Sequence, residues 1–312
     1  MILNIVAGLI SLRGDWARLR ALCWSDNTIK TKKTQWRRFF KFCVEYDLPA
    51  LPASVDVVCL YITHLTRTVS YSTITQYIGG VWSLHKYLGY PHPDPTTFLI
   101  HSTLQGAKRL LGAGTNPALP LSPENLVGIY KNLDLQKPAD LKFWAALSLS
   151  FRCLLRVSHI TNTQHELKTC DIIVTDSGMD VIMRSSKTIQ FKERVNKIPV
   201  VSSPSVLCPV SVLQDYIASS KRKSTSPLFG YSYNAYNSRL KSECKDIGLV
   251  GHYSTHSVRR GAATYLSTFM PLHDVKTYGD WKSWAVLLYL ADSYSTRQSK
   301  DVLVADNLAN YN

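Results

Sequence analysis

The sequence predicts a mainly helical protein of two domains, with a small three-stranded antiparallel sheet in the second domain. Three observations predict this architecture. Apolar residues recur at helical spacing through most of the 312 residues. The segment GAGTNPALPLSP, residues 112–123, interrupts that pattern with three prolines and two glycines. The alternating pattern of strands occurs only within residues 172–201. We therefore expect a helical domain over residues 1–112 and a second domain, with a C-terminal tail, over residues 113–312.

The first domain is predicted to contain five helices and no strand. Ser54 is a suitable N-cap for the third helix, because its hydroxyl can accept a hydrogen bond from a free amide of the first turn. The apolar residues 1–10 are expected to begin a helix, since they lack the basic start of a leader and are too short to span a membrane. The predicted helices cover residues 15–24, 28–46, 55–67, 72–88 and 96–111.

The second predicted helix carries cations along one side. These cations recur at intervals of three and four residues, and they form what we name the basic stripe. The stripe consists of Lys30, Lys33, Arg37 and Lys41. The opposite, apolar side is expected to pack inward and consists of Trp36, Phe39, Phe40 and Cys43. A solvated charged face has the same pattern. Because no acidic residue interrupts the stripe, we favour contact with nucleic-acid phosphates.

The second domain is predicted to begin with two helices, to form the sheet, and then to return to helices. Residues 172–175, the turn DSG and residues 180–184 are typical of a hairpin, and residues 197–201 of a third strand. The helices before the sheet are expected over residues 123–134 and 139–155. Those after it are expected over residues 209–219, 232–245, 255–269, 272–278 and 284–291.

The charge balance points to an anionic partner. Lys and Arg number 36 against 22 Asp and Glu, which gives a net charge of +14. Such a surplus favours a polyanion or an acidic membrane surface, and the charge alone does not choose between them. With 45% hydrophobic residues, and 7 cysteines without a C-x-x-C pair, the chain fits neither a disordered protein nor a disulfide scaffold. We expect an intracellular protein that does not span a membrane.

The segment THSVRRGAATYL carries the first candidate chemistry. Thr255 is predicted to be the N-cap of a helix, which places His256 and Arg259 on one face near its N-terminus. Free amides and the positive end of the helix dipole collect there, so the pair suits a phosphate. A surface histidine beside an incidental arginine is the alternative. The residues expected to anchor the helix to the core are Val258, Ala262, Tyr265, Leu266 and Phe269.

Other motifs extend this set. In GDWKSWAVLLYL, Gly279 is expected to end one short helix and Ser283 to cap the next, which carries Tyr289. Upstream, LLRVSH places Arg156 after a buried helix, and RSSKT places Lys187 after the second strand of the hairpin. The ordered set resembles the tyrosine recombinase (phage integrase) family over nearly the whole chain. The segments CPVSVLQDY and GDWKSWAVLLYL most resemble the branch of eukaryotic mobile elements, of the DIRS-like or Crypton-like kind.

The resemblance implies roles for six residues. Arg156 and Arg259 would clamp the scissile phosphate, with His256 as general acid or base beside them. Lys187 would protonate the departing 5′ oxygen, and Tyr289 would be the nucleophile. Trp281 corresponds to a position that contacts the phosphate, with a register uncertain by one residue. Tyr278 and Tyr294 are rivals for the nucleophile. The chain departs from the family at His159, where Glu is usual, and at Trp284, where Asp is frequent.

The resemblance also implies partners. These are duplex DNA and a homotetramer assembled on two DNA sites, in the nucleus if the host is eukaryotic, with no cofactor. The C-terminal tail is expected either to dock on a neighbouring protomer or to stay loose, and its apolar residues include Val302, Leu303, Val304 and Leu308. Cys244, His252 and His256 resemble half of a zinc site, but without a second nearby cysteine we expect no metal. Two alternatives remain: a DNA-binding protein that no longer cuts, and a type IB topoisomerase.

Overall fold

The computed structural model describes residues 2–114, 116–189, 191, 193–290 and 302. The chain divides into two compact units, Met1–Thr115 and Asn116–Asn312, each of which is described by itself. Among the helices in the described ranges, none is long and apolar enough to cross a membrane.

The first unit consists of helices. Ser25 and Ser54 cap α2 and α3, and each hydroxyl accepts a hydrogen bond from an amide of the first turn, as predicted for Ser54. The first helix begins at Ile2, as expected from the apolar residues 1–10, and therefore earlier than the predicted bound at residue 15. The bounds are α1 Ile2–Ala21, α2 Asp26–Glu45, α3 Val55–Thr66, α4 Tyr71–Leu88 and α5 Phe98–Leu111.

The core of the first unit lies around α3. This helix contacts α4 and α5, while α2 packs along α4. Phe39 of α2 stacks edge to face on the buried Tyr61 of α3, with ring centroids 5.1 Å apart. The indole Nε1 of Trp36 donates a hydrogen bond to the carbonyl of Gly80 at 3.0 Å, which ties α2 to α4. Phe40 was predicted to face inward, but its side chain is exposed, because it lies beyond the edge of the contact between α2 and α4.

The second unit surrounds one buried helix. In α7 every side chain from residue 143 to residue 151 is buried, which is typical of a helix enclosed on all sides. Helix α7 contacts α8 and α10. The bounds are α6 Pro123–Asn132, α7 Pro138–Arg152, β1 Ile172–Thr175, β2 Gly178–Met183, β3 Asn196–Val201, α8 Pro209–Ser220, α9 Tyr233–Asp246, α10 Thr255–Leu266 and α11 Leu272–Tyr278.

The three strands form one antiparallel sheet in the order β1-β2-β3, as predicted. The central β2 is buried along its whole length, and its Val181 pairs with Ile172 of β1 and Ile198 of β3. The connection between β2 and β3 carries Lys187. The sheet therefore fixes where this connection starts and where it ends.

Two details of α10 differ from the prediction. Ser254, not Thr255, is the N-cap, since the hydroxyl of Ser254 accepts a hydrogen bond from the amide of His256 and Thr255 is already helical. Tyr265 and Phe269 were expected to anchor the helix, but both are exposed, and Phe269 lies beyond the end of α10 at Leu266. Val258 and Ala262 are buried, as predicted.

The last predicted helix is shorter than expected. Residues 284–288 form a 3-10 turn, Trp284–Leu288, and Tyr289 is its C-terminal cap residue. Ser283 caps this turn through a hydrogen bond from the amide of Ala285, as predicted. Of the four apolar residues named for the C-terminal tail, Val302 alone is described, and its side chain is exposed. The predicted docking segment with Leu303, Val304 and Leu308 lies outside the described residues.

Candidate active site

Arg259 is a buried cation in the first half of α10, with a side chain 3% exposed. Its Nη1 donates a hydrogen bond to the carbonyl of Leu154, just after α7, and its Nη2 donates to the carbonyl of Gly279 at 2.6 Å. The Nε–H group is buried and has no hydrogen-bond partner within the described part of the chain. The guanidinium is thus fixed between two chain segments with donor capacity to spare.

Two aromatic rings lie against this guanidinium. The Cζ atom of Arg259 is 3.9 Å from the ring centroid of Trp281 and 5.7 Å from that of Tyr289. The rings of Trp281 and Tyr289 pack edge to face at 5.2 Å. Gly279 makes this possible, since a Cβ atom there would lie 1.7 Å from the Trp281 ring. The site therefore needs glycine at position 279.

Helix α10 also holds the backbone around Tyr289. The guanidinium of Arg260 donates hydrogen bonds to the carbonyls of Leu288 at 3.2 Å and Leu290 at 3.3 Å. The hydroxyl of Thr264 donates to the carbonyl of Tyr289 at 3.4 Å. The ring centroid of His256 lies 6.4 Å from that of Tyr289. One helix therefore positions an imidazole, a guanidinium and a phenol together.

Arg156 adds a further positive charge. It follows α7 and caps the 3-10 turn Val157–His159. Burial and the charge of Arg156 lower the pKa of Arg259, so the two guanidinium groups are close enough to repel each other. The pKa of His256 lies below its ordinary value, first through loss of hydration and then through the charges of Arg259, Arg156 and Lys187. We infer a neutral His256 at neutral pH and a site that attracts an anion.

Lys187 lies in a tight turn of the β2–β3 connection. The backbones of Ser186 and Ile189 exchange hydrogen bonds of 3.2 and 3.1 Å, so Lys187 and Thr188 occupy the tip. The Lys187 side chain is exposed and its charge acts on His256. Of the six predicted residues, Arg259, Trp281 and Tyr289 are in contact, with the ring of His256 beside Tyr289. Arg156 and Lys187 are linked to this group through the effect of their charges on the pKa of His256.

The rival tyrosines differ from Tyr289. The hydroxyl of Tyr278 accepts a hydrogen bond from the guanidinium of Arg152 and donates one to the Arg152 carbonyl at 3.2 Å. Burial raises the pKa of Tyr278, which disfavours the phenolate that a nucleophile needs. Tyr294 lies outside the described residues.

The two positions that depart from the family have different surroundings. His159 is buried, and neither of its ring nitrogens has a hydrogen-bond partner among the described residues. Burial, and then the charges of Arg156, Arg259 and His165, lower its pKa to about 3. Trp284 is exposed, and the Nζ of Lys276 lies 4.7 Å from the centroid of its ring.

Sequence reasoning missed residues that act through distant partners. Asp280 contacts Thr188 and Arg194, which are 92 and 86 positions earlier in the chain. Arg260 contacts carbonyls 28 and 30 positions later. No local pattern marks such pairs. The only sequence signal was that Asp280 and Arg260 are immediate neighbours of predicted site residues.

The basic stripe belongs to the first unit. Its members Lys30, Lys33, Arg37 and Lys41 are all exposed along α2, as a phosphate-binding surface and a solvated face both require. Within the described residues, no group of three or more His, Cys, Asp or Glu side chains is arranged to hold a metal ion.

Comparisons of sequence support one family. No family model matches the chain. Its sequence is 24% identical over 256 residues to an integrase/recombinase XerD homolog of Selenomonas ruminantium. That alignment covers 77% of this chain and 73% of the relative.

Solved structures of integrases and recombinases have a similar fold. The integrase of transposon Tn1549, in complex with transposon right end DNA, matches with a TM-score of 0.61 and 14% identity over 96% of this chain and 98% of the other. A lambda integrase dimer bound to a COC′ core site matches with a TM-score of 0.59 and 14% identity, over 89% of this chain and 95% of the other. The XerH site-specific recombinase bound to palindromic difH substrate matches with a TM-score of 0.58 and 10% identity, over 80% of this chain and 71% of the other. The fold is that of the tyrosine recombinases and integrases.

Proposed function

We propose that this chain is a tyrosine recombinase, which breaks and rejoins duplex DNA at specific sites through a covalent 3′-phosphotyrosyl intermediate. The observation that carries the proposal is the contact of the buried Arg259 guanidinium with the rings of Trp281 and Tyr289. A phenol beside a fixed cation, surrounded by further positive charge, suits attack on an anionic phosphodiester.

Arg156 and Arg259 clamp the scissile phosphate in this proposal. Cleavage places growing negative charge on the equatorial oxygens of phosphorus. Planar guanidinium groups neutralise that charge with paired hydrogen bonds, and their positions are set before the reaction begins. Trp281 covers one face of Arg259 and so limits the directions in which its donors point.

Proton transfer is assigned to His256 and Lys187. The lowered pKa of His256 leaves its ring neutral, so it can accept the proton of the Tyr289 hydroxyl. The phenolic oxygen then forms a bond to phosphorus while the bond from phosphorus to the 5′ oxygen breaks. The ammonium of Lys187 donates a proton to that oxygen, because an alkoxide is a poor leaving group. The phosphotyrosine ester conserves the bond energy, and rejoining reverses these steps without ATP.

Duplex DNA is the proposed partner of both parts of the chain. The net charge of +14 and the exposed basic stripe support phosphate contacts. In this proposal residues 1–112 form the DNA-binding, or core-binding, domain, and residues 113–312 form the catalytic domain with the C-terminal tail.

The finer assignment is also a proposal. We infer membership of the eukaryotic mobile-element branch, DIRS-like or Crypton-like, from CPVSVLQDY and GDWKSWAVLLYL. Four protomers assemble on two DNA sites and exchange strands in pairs through a Holliday junction, with the tail docked on a neighbour. Such an enzyme works in the nucleus of its host.

Mass photometry of the protein on its mapped DNA site tests the tetramer, and a dimer with complete recombination activity would exclude it.

Trapping the covalent adduct tests the central proposal. The full chain is incubated with sheared host DNA, adducts are denatured, and sequencing of the attached ends maps the target site. A duplex of that sequence, nicked so that the cleaved fragment diffuses away, then accumulates adduct. We expect Tyr289→Phe to abolish the adduct, and Tyr278→Phe and Tyr294→Phe to retain it.

The other outcomes identify the alternatives. Tight binding of DNA without any adduct would assign the chain to DNA-binding proteins that no longer cut. An adduct that yields relaxed circles but no recombinant joints would assign it to the type IB topoisomerases. An adduct that survives Tyr289→Phe would overturn the assignment of the nucleophile.

A further inference from the structure

The connection that carries Lys187 is held at two points, one in the turn beside Lys187 and one near its return to β3. Thr188, next to Lys187, donates a hydrogen bond from its hydroxyl to the Oδ2 atom of Asp280. Arg194, near the return of the connection to β3, donates to the Oδ1 atom of the same carboxylate. A third contact, 3.6 Å between the Nζ of Lys282 and the Oε1 of Glu193, joins the same two segments. We name Asp280 with Thr188 and Arg194 the Asp280 clasp.

The clasp is held in a defined geometry. The side chain of Asp280 is only 12% exposed, so water competes little for its oxygens. Burial alone would raise the pKa of its carboxyl, but hydrogen bonds from Thr188 and Arg194, and the charges of Arg194 and Arg156, outweigh burial and hold the pKa below its ordinary value. The carboxylate is therefore ionised at neutral pH and accepts both bonds.

The clasp also reaches the guanidinium cluster. Asp280 lies between Gly279, whose carbonyl accepts a hydrogen bond from Arg259, and Trp281, which covers Arg259. Its backbone has a φ of 56°, a left-handed conformation that Asp and Asn tolerate better than other residues with a side chain. One residue thus links the segment around Arg259 to the turn that bears Lys187.

We propose that Asp280 is a positioning residue, which holds the β2–β3 connection so that the ammonium of Lys187 reaches the 5′ oxygen as it departs. This inference rests on the proposed function, since it presupposes that Lys187 is the general acid. Asp280 does not touch the DNA in this role. It acts through Lys187, which gives its proton to the oxygen while the Tyr289 oxygen bonds to phosphorus.

A substrate with a different leaving group distinguishes a residue that positions the general acid from one that only stabilises the fold. A substrate with sulfur in place of the bridging 5′ oxygen departs as a thiolate, which needs no proton because a thiol has a pKa of about 8.5. The mapped duplex is therefore prepared in oxygen and sulfur forms, and adduct formation is timed at saturating DNA. Asp280→Asn is the variant of choice, because asparagine keeps the shape and tolerates the left-handed backbone.

We expect Asp280→Asn to slow adduct formation on the oxygen substrate by roughly 10- to 100-fold, the usual effect of losing a supporting partner. On the sulfur substrate we expect a rate within about 3-fold of the unchanged protein, since little of the effect remains when no proton is needed. Asp274→Asn, an exposed carboxylate of α11, is the matched control and should react normally on both substrates.

The remaining outcomes overturn the inference. A normal rate on the oxygen substrate, or an equal loss on both substrates, would show that Asp280 does not act through Lys187. If Asp280→Asn fails to fold, Arg194→Gln breaks the same clasp from its more exposed side and is read in the same way. Lys187→Ala tests the premise that Lys187 is the general acid. If the sulfur substrate does not restore the rate of Lys187→Ala, the general acid is misassigned and the proposed function fails in that part. If sulfur restores the rate of Lys187→Ala but not that of Asp280→Asn, only the role of the Asp280 clasp is rejected.

Discussion

His159 shows how a single buried side chain couples the site to pH. It lies near Arg156 and Arg259, has no hydrogen-bond partner within the described residues, and has a pKa lowered to about 3 by burial and these charges. A neutral imidazole at this position fills space beside two guanidinium groups without adding charge.

The sign of the resulting pH dependence follows from the lowered pKa. Above pH 6.5, the ordinary value for histidine, His159 is neutral in the folded and unfolded chain, and its contribution to stability is complete. As the pH falls from 6.5 towards 3, the unfolded chain takes up a proton that the folded chain refuses. The free energy of unfolding should then fall by about 1.4 kcal/mol per pH unit from this group.

The substitution His159→Gln removes this titration. In urea unfolding at pH 7, 6 and 5, we expect the stability of the original protein, relative to that of the variant, to decrease with falling pH. The decrease should be smaller between pH 7 and 6 than between pH 6 and 5, because the slope approaches its full value only well below pH 6.5. His273→Gln, at an exposed histidine of α11, is the control for replacing a histidine by glutamine. Parallel curves for the original protein and His159→Gln would contradict the prediction.

Helix α10 organises the site at the scale of an element. Its N-terminal half presents His256 and the buried Arg259, and Arg260 binds the backbone on both sides of Tyr289. Gly261 lets the helix approach the segment before α6, since a Cβ atom there would lie 1.8 Å from the carbonyl oxygen of Leu121. Because one rigid element fixes all of these groups, their mutual distances do not depend on loops.

Arg260 is therefore expected to affect the reaction more than the binding of DNA. Arg260→Ala removes two hydrogen bonds of about 1 kcal/mol each, which loosens the segment of Tyr289. We expect adduct formation at saturating DNA to slow by about 10-fold, while the Kd for DNA changes by less than about 2-fold. Arg260→Lys, which can reach only one carbonyl at a time, should restore part of the rate.

Lys241→Ala, at an exposed lysine of α9, is the control for loss of a charge. A weakened Kd with an unchanged rate at saturation would assign Arg260 to the DNA-binding surface instead.

Positive charge is distributed over the molecule as a whole. The net charge of +14 is larger than the charge of Arg156, Lys187 and Arg259 together. These three residues belong to the second unit, whereas the four cations of the basic stripe belong to the first. Contacts with phosphate release counterions, so binding of the whole protein to DNA should weaken steeply with salt. The salt dependence then reports how many of these cations touch the backbone.

Replacing all four stripe residues by glutamine tests their part in binding. The plot of log affinity against log salt should lose about 0.9 in slope for each phosphate contact removed, or about 3 to 4 in all. A charge-matched control replaces four exposed lysines of the second unit: Lys131, Lys221, Lys241 and Lys245. An equal change in slope for both sets would indicate an effect of net charge and reject a specific role for the stripe.

The sequence by itself determined most of the helices and the three strands, because each is encoded by a repeat of apolar residues over a few turns or pleats. Short local signals also placed the end of α11 at Gly279 and the start of the last turn after Ser283, whereas the six proposed site residues came from the resemblance to a family. The predicted inward faces were wrong at Phe40, Tyr265 and Phe269, which fit the helical period but are exposed.

Only the tertiary structure decided which distant groups became partners. The carboxylate of Asp280 meets Thr188 and Arg194, and the guanidinium of Arg260 meets the carbonyls beside Tyr289. A periodic pattern specifies which side of an element faces the core, but not which side chain of another element lies opposite. That choice depends on the packing of α10, α11 and the β2–β3 connection against one another, which is a property of the folded chain.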